Sequence, residues 1–82
     1  MPTVSNILGL RVVVYPNDHR PAHVHVIGRG CEAVFDLHCP AGPPVLRENF
    51  RFNKNDLNDI CRALKRLLAT ACEGWRTIHG HH

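Results

Sequence analysis

The segment Asn17-Asp18-His19-Arg20-Pro21-Ala22-His23-Val24-His25-Val26 places three of the chain's seven histidines within seven positions. Imidazole titrates nearest to neutral pH, serves as general acid or base and is the commonest metal ligand, so the cluster marks a candidate functional site. On a strand, residues i and i+2 project to one side with Cα atoms about 6.5–7 Å apart, which lets His23 and His25 share one ligand. His19 and Asp18 sit on the turn before that strand, where Pro21 holds Arg20 extended, and both can close over the same patch. Three imidazoles with an optional carboxylate match an open zinc site, and two with one carboxylate match non-haem iron. The competing reading is that His19 caps a turn while His23 and His25 are ordinary solvent-facing strand residues.

The elements that must position these groups follow from periodicity. The pattern changes once, from period-two alternation in the first half to a helical period in the second, and no linker or repeat divides the chain. Ile7 to Tyr15 is apolar and β-branched around Gly9 and closes at Pro16-Asn17-Asp18, which predicts a first strand over about 7–15. A second strand covers about 23–28. Arg29-Gly30 then reads as a two-residue turn that pairs Gly28 with Cys31 and opens a third strand over about 31–38. In that register His25 faces Val34 and His23 faces Asp36, while Val24, Val26, Ala33 and Phe35 share the opposite face. Asp36 is thereby a candidate to orient a histidine through its second ring nitrogen.

After the loop Cys39-Pro40-Ala41-Gly42-Pro43-Pro44, a short edge strand is expected at about 45–48. Asn53 and Asp56 resemble a helix-capping pair, and Leu57, Ile60, Cys61, Leu64, Leu67, Leu68, Ala71, Trp75 and Ile78 recur at three and four. The expected architecture is α+β: a small antiparallel sheet of three to four strands packed on one long C-terminal helix over about 54–78. Such a helix runs roughly 37 Å at 1.5 Å per residue, more than a three-stranded sheet covers. Its apolar end near Trp75 therefore packs on a partner, which suggests a homodimer, or bends at Gly74.

With 82 residues, the chain suits one domain, and a chain this short buries only about 60–65% of its unfolded surface. Hydrophobic residues at 44% and charged residues at 21% are ordinary globular values, which argue against disorder. No apolar run approaches the roughly 20 residues of a spanning helix, and Met1-Pro2-Thr3 opens no signal peptide, so a cytoplasmic location without membrane contact is expected. Cys31, Cys39, Cys61 and Cys72 contain no Cys-x-x-Cys pair and read as buried free thiols of a reducing compartment. A net charge of +3 is compatible with RNA or an acidic partner but well short of a dense basic stripe.

Several blocks together resemble the domain of unknown function 4160 family. They are Met1-Pro2-Thr3-Val4, Asn17 through Val26, Glu32-Ala33-Val34-Phe35, Leu46-Arg47-Glu48-Asn49-Phe50 and Trp75-Arg76-Thr77-Ile78-His79-Gly80. The resemblance spans nearly the whole chain. It implies a small bacterial protein encoded beside a small partner protein in gene pairs that look like toxin–antitoxin modules. Ala22 departs from the family pattern, standing where a second proline is common, as do His38, Arg51 and Asn53. Since the family ending resembles Ile78-His79-Gly80, His81 and His82 read as native tail.

Three classes of function are open, and whether the chain is an enzyme is open with them. The first is a divalent-metal-binding domain using His19, His23 and His25, with Asp18 as a further ligand, for zinc, iron or manganese. The second is a metal-independent nucleic-acid-binding protein or ribonuclease in which two histidines move protons and Arg20 or Arg29 binds phosphate. The third is a non-enzymatic module that binds its partner through the sheet edge or the long helix.

Overall fold

A computed structural model describes residues 3–79; Met1 and Pro2 of the family-like opening, Gly80 of its ending, and the tail residues His81 and His82 lie outside the described residues. The fold is α+β, as expected, with more strands. The strands are β1 (Thr3–Ile7), β2 (Leu10–Val13), β3 (His23–Gly28), β4 (Cys31–Asp36) and β5 (Val45–Phe50), followed by helices α1 (Lys54–Arg66) and α2 (Leu68–His79). All five strands form one antiparallel sheet in chain order.

The extra strand comes from the segment expected to be a single strand over 7–15. Leu8 and Gly9 both adopt positive φ, at 52° and 75°, and Ile7 pairs with Leu10, which is the geometry of a two-residue turn matched to the twist of a hairpin. Leucine carries none of the chemistry that usually signals such a turn, so the hairpin was hidden. The Arg29-Gly30 turn has the same signature, at 53° and 73°. There the expected register is found: His23 opposes Asp36, His25 opposes Val34 and Gly28 opposes Cys31.

The predicted long helix is two helices, with Leu67 between them. Asn53 caps α1 by accepting the amide of Asp56 at 2.8 Å, as the sequence suggested. The break is not at Gly74. That glycine lies within α2, where a Cβ would stand 2.6 Å from Cγ1 of Val4, so its role is to let α2 approach β1 closely.

The helical stripe holds its phase. Ile60, Leu64, Ala71 and Trp75 are buried together with Leu10, Val12, Val24, Val26, Ala33 and Phe35, and Leu57, Leu67, Leu68 and Ile78 pack against that core. Trp75 is only 3% exposed because the chain's own sheet covers it, which withdraws the ground for expecting a homodimer. Val13 and Val34 are also buried but belong to the other face of the sheet. Among the described residues no helix is long and apolar enough to cross a membrane.

The cysteines depart from the free-thiol reading. Cys39 and Cys72, 33 residues apart in sequence, form a disulfide that ties the loop after β4 to α2, while Cys31 and Cys61 are free. A pairing across that distance depends on how α2 docks, which spacing does not report. With Cys39 and Cys72 bonded, the cysteines no longer point to a reducing compartment.

Candidate metal centre

The site is built on the sheet face that carries Val13, His25 and Val34, where the β2–β3 loop folds back over the start of β3. The loop is turned by the amide of Asp18, which donates to the carbonyl of Tyr15 at 3.0 Å, and the amide of Tyr15 donates to Oδ2 of Asp18 at 3.3 Å. These bonds aim the Asp18 carboxylate back at the strand. Its Oδ2 lies 3.2 Å from Nε2 of His23 and 3.2 Å from Nε2 of His25. Ligand atoms of all three residues fall within 4.8 Å of one another.

The far nitrogen of each imidazole is also engaged. Nδ1 of His23 is 2.8 Å from the carbonyl oxygen of Pro21, and Nδ1 of His25 is 3.0 Å from Oε2 of Glu32. Neither of those oxygens carries a proton in its ordinary state, so each Nδ1 must be the donor. Both Nε2 atoms then present lone pairs toward Asp18 when the rings are neutral. Tyr15 meets His25 edge-on with ring centroids 4.6 Å apart, and Trp75 of α2 lies 5.1 Å from the ring of His23.

That last contact overturns the competing reading, in which both histidines face water. His23 is 5% exposed, closed in by the loop on one side and Trp75 on the other; His25 is half-buried and reaches solvent through an open cavity of 280 Å³. Its wall is formed by Asn17, Asp18, His19, Arg20, His23, His25, Val34, Arg47 and Glu48.

Of the residues singled out in the sequence, Asp18, His23 and His25 come together. His19 does not join them: it is exposed on the rim, because the turn that points Asp18 inward points its neighbour outward. Asp36 opposes His23 in register, yet its carboxylate faces Arg47, with Oδ1 3.7 Å from Nη1. The carboxylate that orients an imidazole is Glu32, a diagonal neighbour of His25 on the same face, and the diagonal spacing of cross-strand pairs is the signal that could have found it. Arg29 lies at the other end of the hairpin, donating to the carbonyl of Leu8 at 2.8 Å, and cannot serve this site. Arg20 lines the cavity.

Residues 9–76 match the family model described as Domain of unknown function (DUF4160), and the chain belongs to that family. The match includes the whole loop, both histidines and Glu32. Neither a curated protein nor a solved structure shows a significant match to the chain.

Proposed function

We propose that this chain is a divalent-metal-binding domain in which Asp18, His23 and His25 supply the protein ligands and the remaining coordination positions open toward the cavity. The observation that carries this reading is the convergence of acceptors. With both Nδ1 atoms committed as donors, neutral rings turn two Nε2 lone pairs and a carboxylate oxygen toward one another. A cation between them resolves the repulsion.

The two distances from Asp18 suit such an ion, and the three ligand atoms lie within 4.8 Å of one another. Ligands held about 2.1 Å from a metal stand about 3.0–3.4 Å apart, and Asp18 meets both imidazoles at 3.2 Å. The Nδ1 bonds to Pro21 and Glu32 are the kind of support that fixes tautomer and ring orientation in metal-binding histidines. Two imidazoles and one carboxylate with open positions suit iron(II), zinc or manganese.

Asp18→Asn distinguishes this reading from a metal-free cluster. The carboxamide can donate a hydrogen bond where the carboxylate could only accept, so the metal-free variant keeps or gains melting temperature. Metal is expected to raise the melting temperature of the wild type and to leave that of the variant unchanged. A variant that binds metal as the wild type does would refute the assignment of Asp18.

A further inference from the structure

The β4–β5 ladder contains an extra residue beside this site. Asp36 pairs with Val45 and Phe35 with Leu46, but the next pair is Val34 with Glu48, so Arg47 is bulged out of the register. Strict alternation from Leu46, which shares the helix face with Phe35, would send Arg47 to the histidine face and turn Glu48 away from it. The bulge resets the alternation, and both side chains line the cavity. A bulge sacrifices regular pairing, and beside functional sites it commonly serves to re-aim a side chain.

Arg47 is held there without being used up. Its Nη1 is 3.7 Å from Oδ1 of Asp36, too far for a hydrogen bond, and that oxygen is buried with no hydrogen-bond partner among the described residues. The Arg47 side chain is 41% exposed, so its donors are available to something in the cavity. Arg20 stands on the same wall.

We infer that the cavity takes the phosphate group of a phosphate monoester, gripped by Arg47 beside the metal. This rests on the metal reading above. The planar guanidinium fork matches two phosphate oxygens, and a hard divalent ion takes a third oxygen readily. On the wall itself Asp18 and Glu48 balance Arg20 and Arg47, so the phosphate is drawn by the ion and the guanidinium at its points of contact and not by a net charge of the wall. Glu32 and Asp36 stand behind His25 and Arg47. A volume of 280 Å³ admits a phosphate and the group attached to it, below the range of about 300–1,000 Å³ that encloses a drug-sized ligand.

The test is calorimetric titration of phenyl phosphate, inorganic phosphate and acetate into the manganese-loaded protein. Wild type, Arg47→Ala and Arg47→Lys are compared after manganese uptake by each has been measured. The expected result is unchanged manganese uptake in all three, phenyl phosphate bound at least tenfold more weakly by Arg47→Ala, and partial recovery in Arg47→Lys. Binding of inorganic phosphate with the same dependence on Arg47 supports recognition of the phosphate itself. Unaltered manganese uptake with phenyl phosphate affinity independent of Arg47 overturns this inference and leaves the metal reading standing. Acetate bound as tightly as phenyl phosphate overturns the assignment to phosphate. No manganese uptake by the wild type overturns both.

Discussion

Trp75 lies against the imidazole of His23, with ring centroids 5.1 Å apart, so the last helix forms the back wall of the site built on the second hairpin. Trp75 also stacks on His79, with ring centroids 3.9 Å apart. Truncating Trp75 to alanine removes the largest side chain of the core and should cost about 3–5 kcal/mol. The milder Trp75→Leu should keep the fold but let His23 turn, lowering metal affinity. Denaturation midpoints and metal titration measure the two effects separately; unchanged metal affinity in a folded Trp75→Leu protein would show that the wall does not position the ligand.

Leu64 is fully buried between α1 and the sheet. Leu64→Ala should cost about 2–5 kcal/mol through the lost contacts and the cavity left behind, a large share of the stability of a small protein. An unchanged denaturation curve would contradict the helix phase.

Gly74→Ala sets two effects against each other. Alanine favours a helix interior by roughly 0.5–1 kcal/mol, but its Cβ would meet Val4 at 2.6 Å, and overpacking costs typically about 1–3 kcal/mol. The clash should win, lowering the melting temperature. A double variant, Gly74→Ala with Val4→Ala, should recover part of the loss; without that recovery, the close approach of α2 to β1 is not the reason for the glycine.

Leu8 occupies a left-handed position at φ 52° while 51% exposed, which costs a branched residue roughly 1–2 kcal/mol. Leu8→Asn supplies the residue that this turn prefers and should stabilise the protein by about 1 kcal/mol. Chemical denaturation measures it, and a loss of stability would contradict the hairpin.

These cases show what the chain makes legible. The β3–β4 register could be read because Gly28-Arg29-Gly30 fixes the turn, and a fixed turn fixes every cross-strand pair after it. The helical stripe could be read because burial imposes its period on Ile60, Leu64, Ala71 and Trp75. The Leu8-Gly9 turn could not, since tertiary pairing overrides leucine's preference. Neither could the break at Leu67, where no glycine or proline interrupts the stripe. At the site, residue types identified the neighbourhood, but the choice of Asp18 over His19 depends on the twist of one turn. The arrival of Glu48 depends on a bulge that no local signal announces.

Glu32 accepts from Nδ1 of His25 at 3.0 Å and is only a supporting group. Glu32→Gln should therefore leave the fold intact while lowering metal affinity about 10–100-fold, the usual effect of losing such a partner. Affinity equal to wild type would show that His25 needs no orienting carboxylate.

Metal binding by Asp18, His23 and His25 can be measured by titrating zinc, iron(II) and manganese into a chain ending at Gly80, which removes His81 and His82 as adventitious ligands, and into its His23→Ala/His25→Ala variant. A metal centre at this site predicts one ion per wild-type chain. Binding should weaken on acidification, because protons compete for the same nitrogens, and the folded variant should take up none. Equal uptake by the two proteins, or none by the wild type, would contradict it.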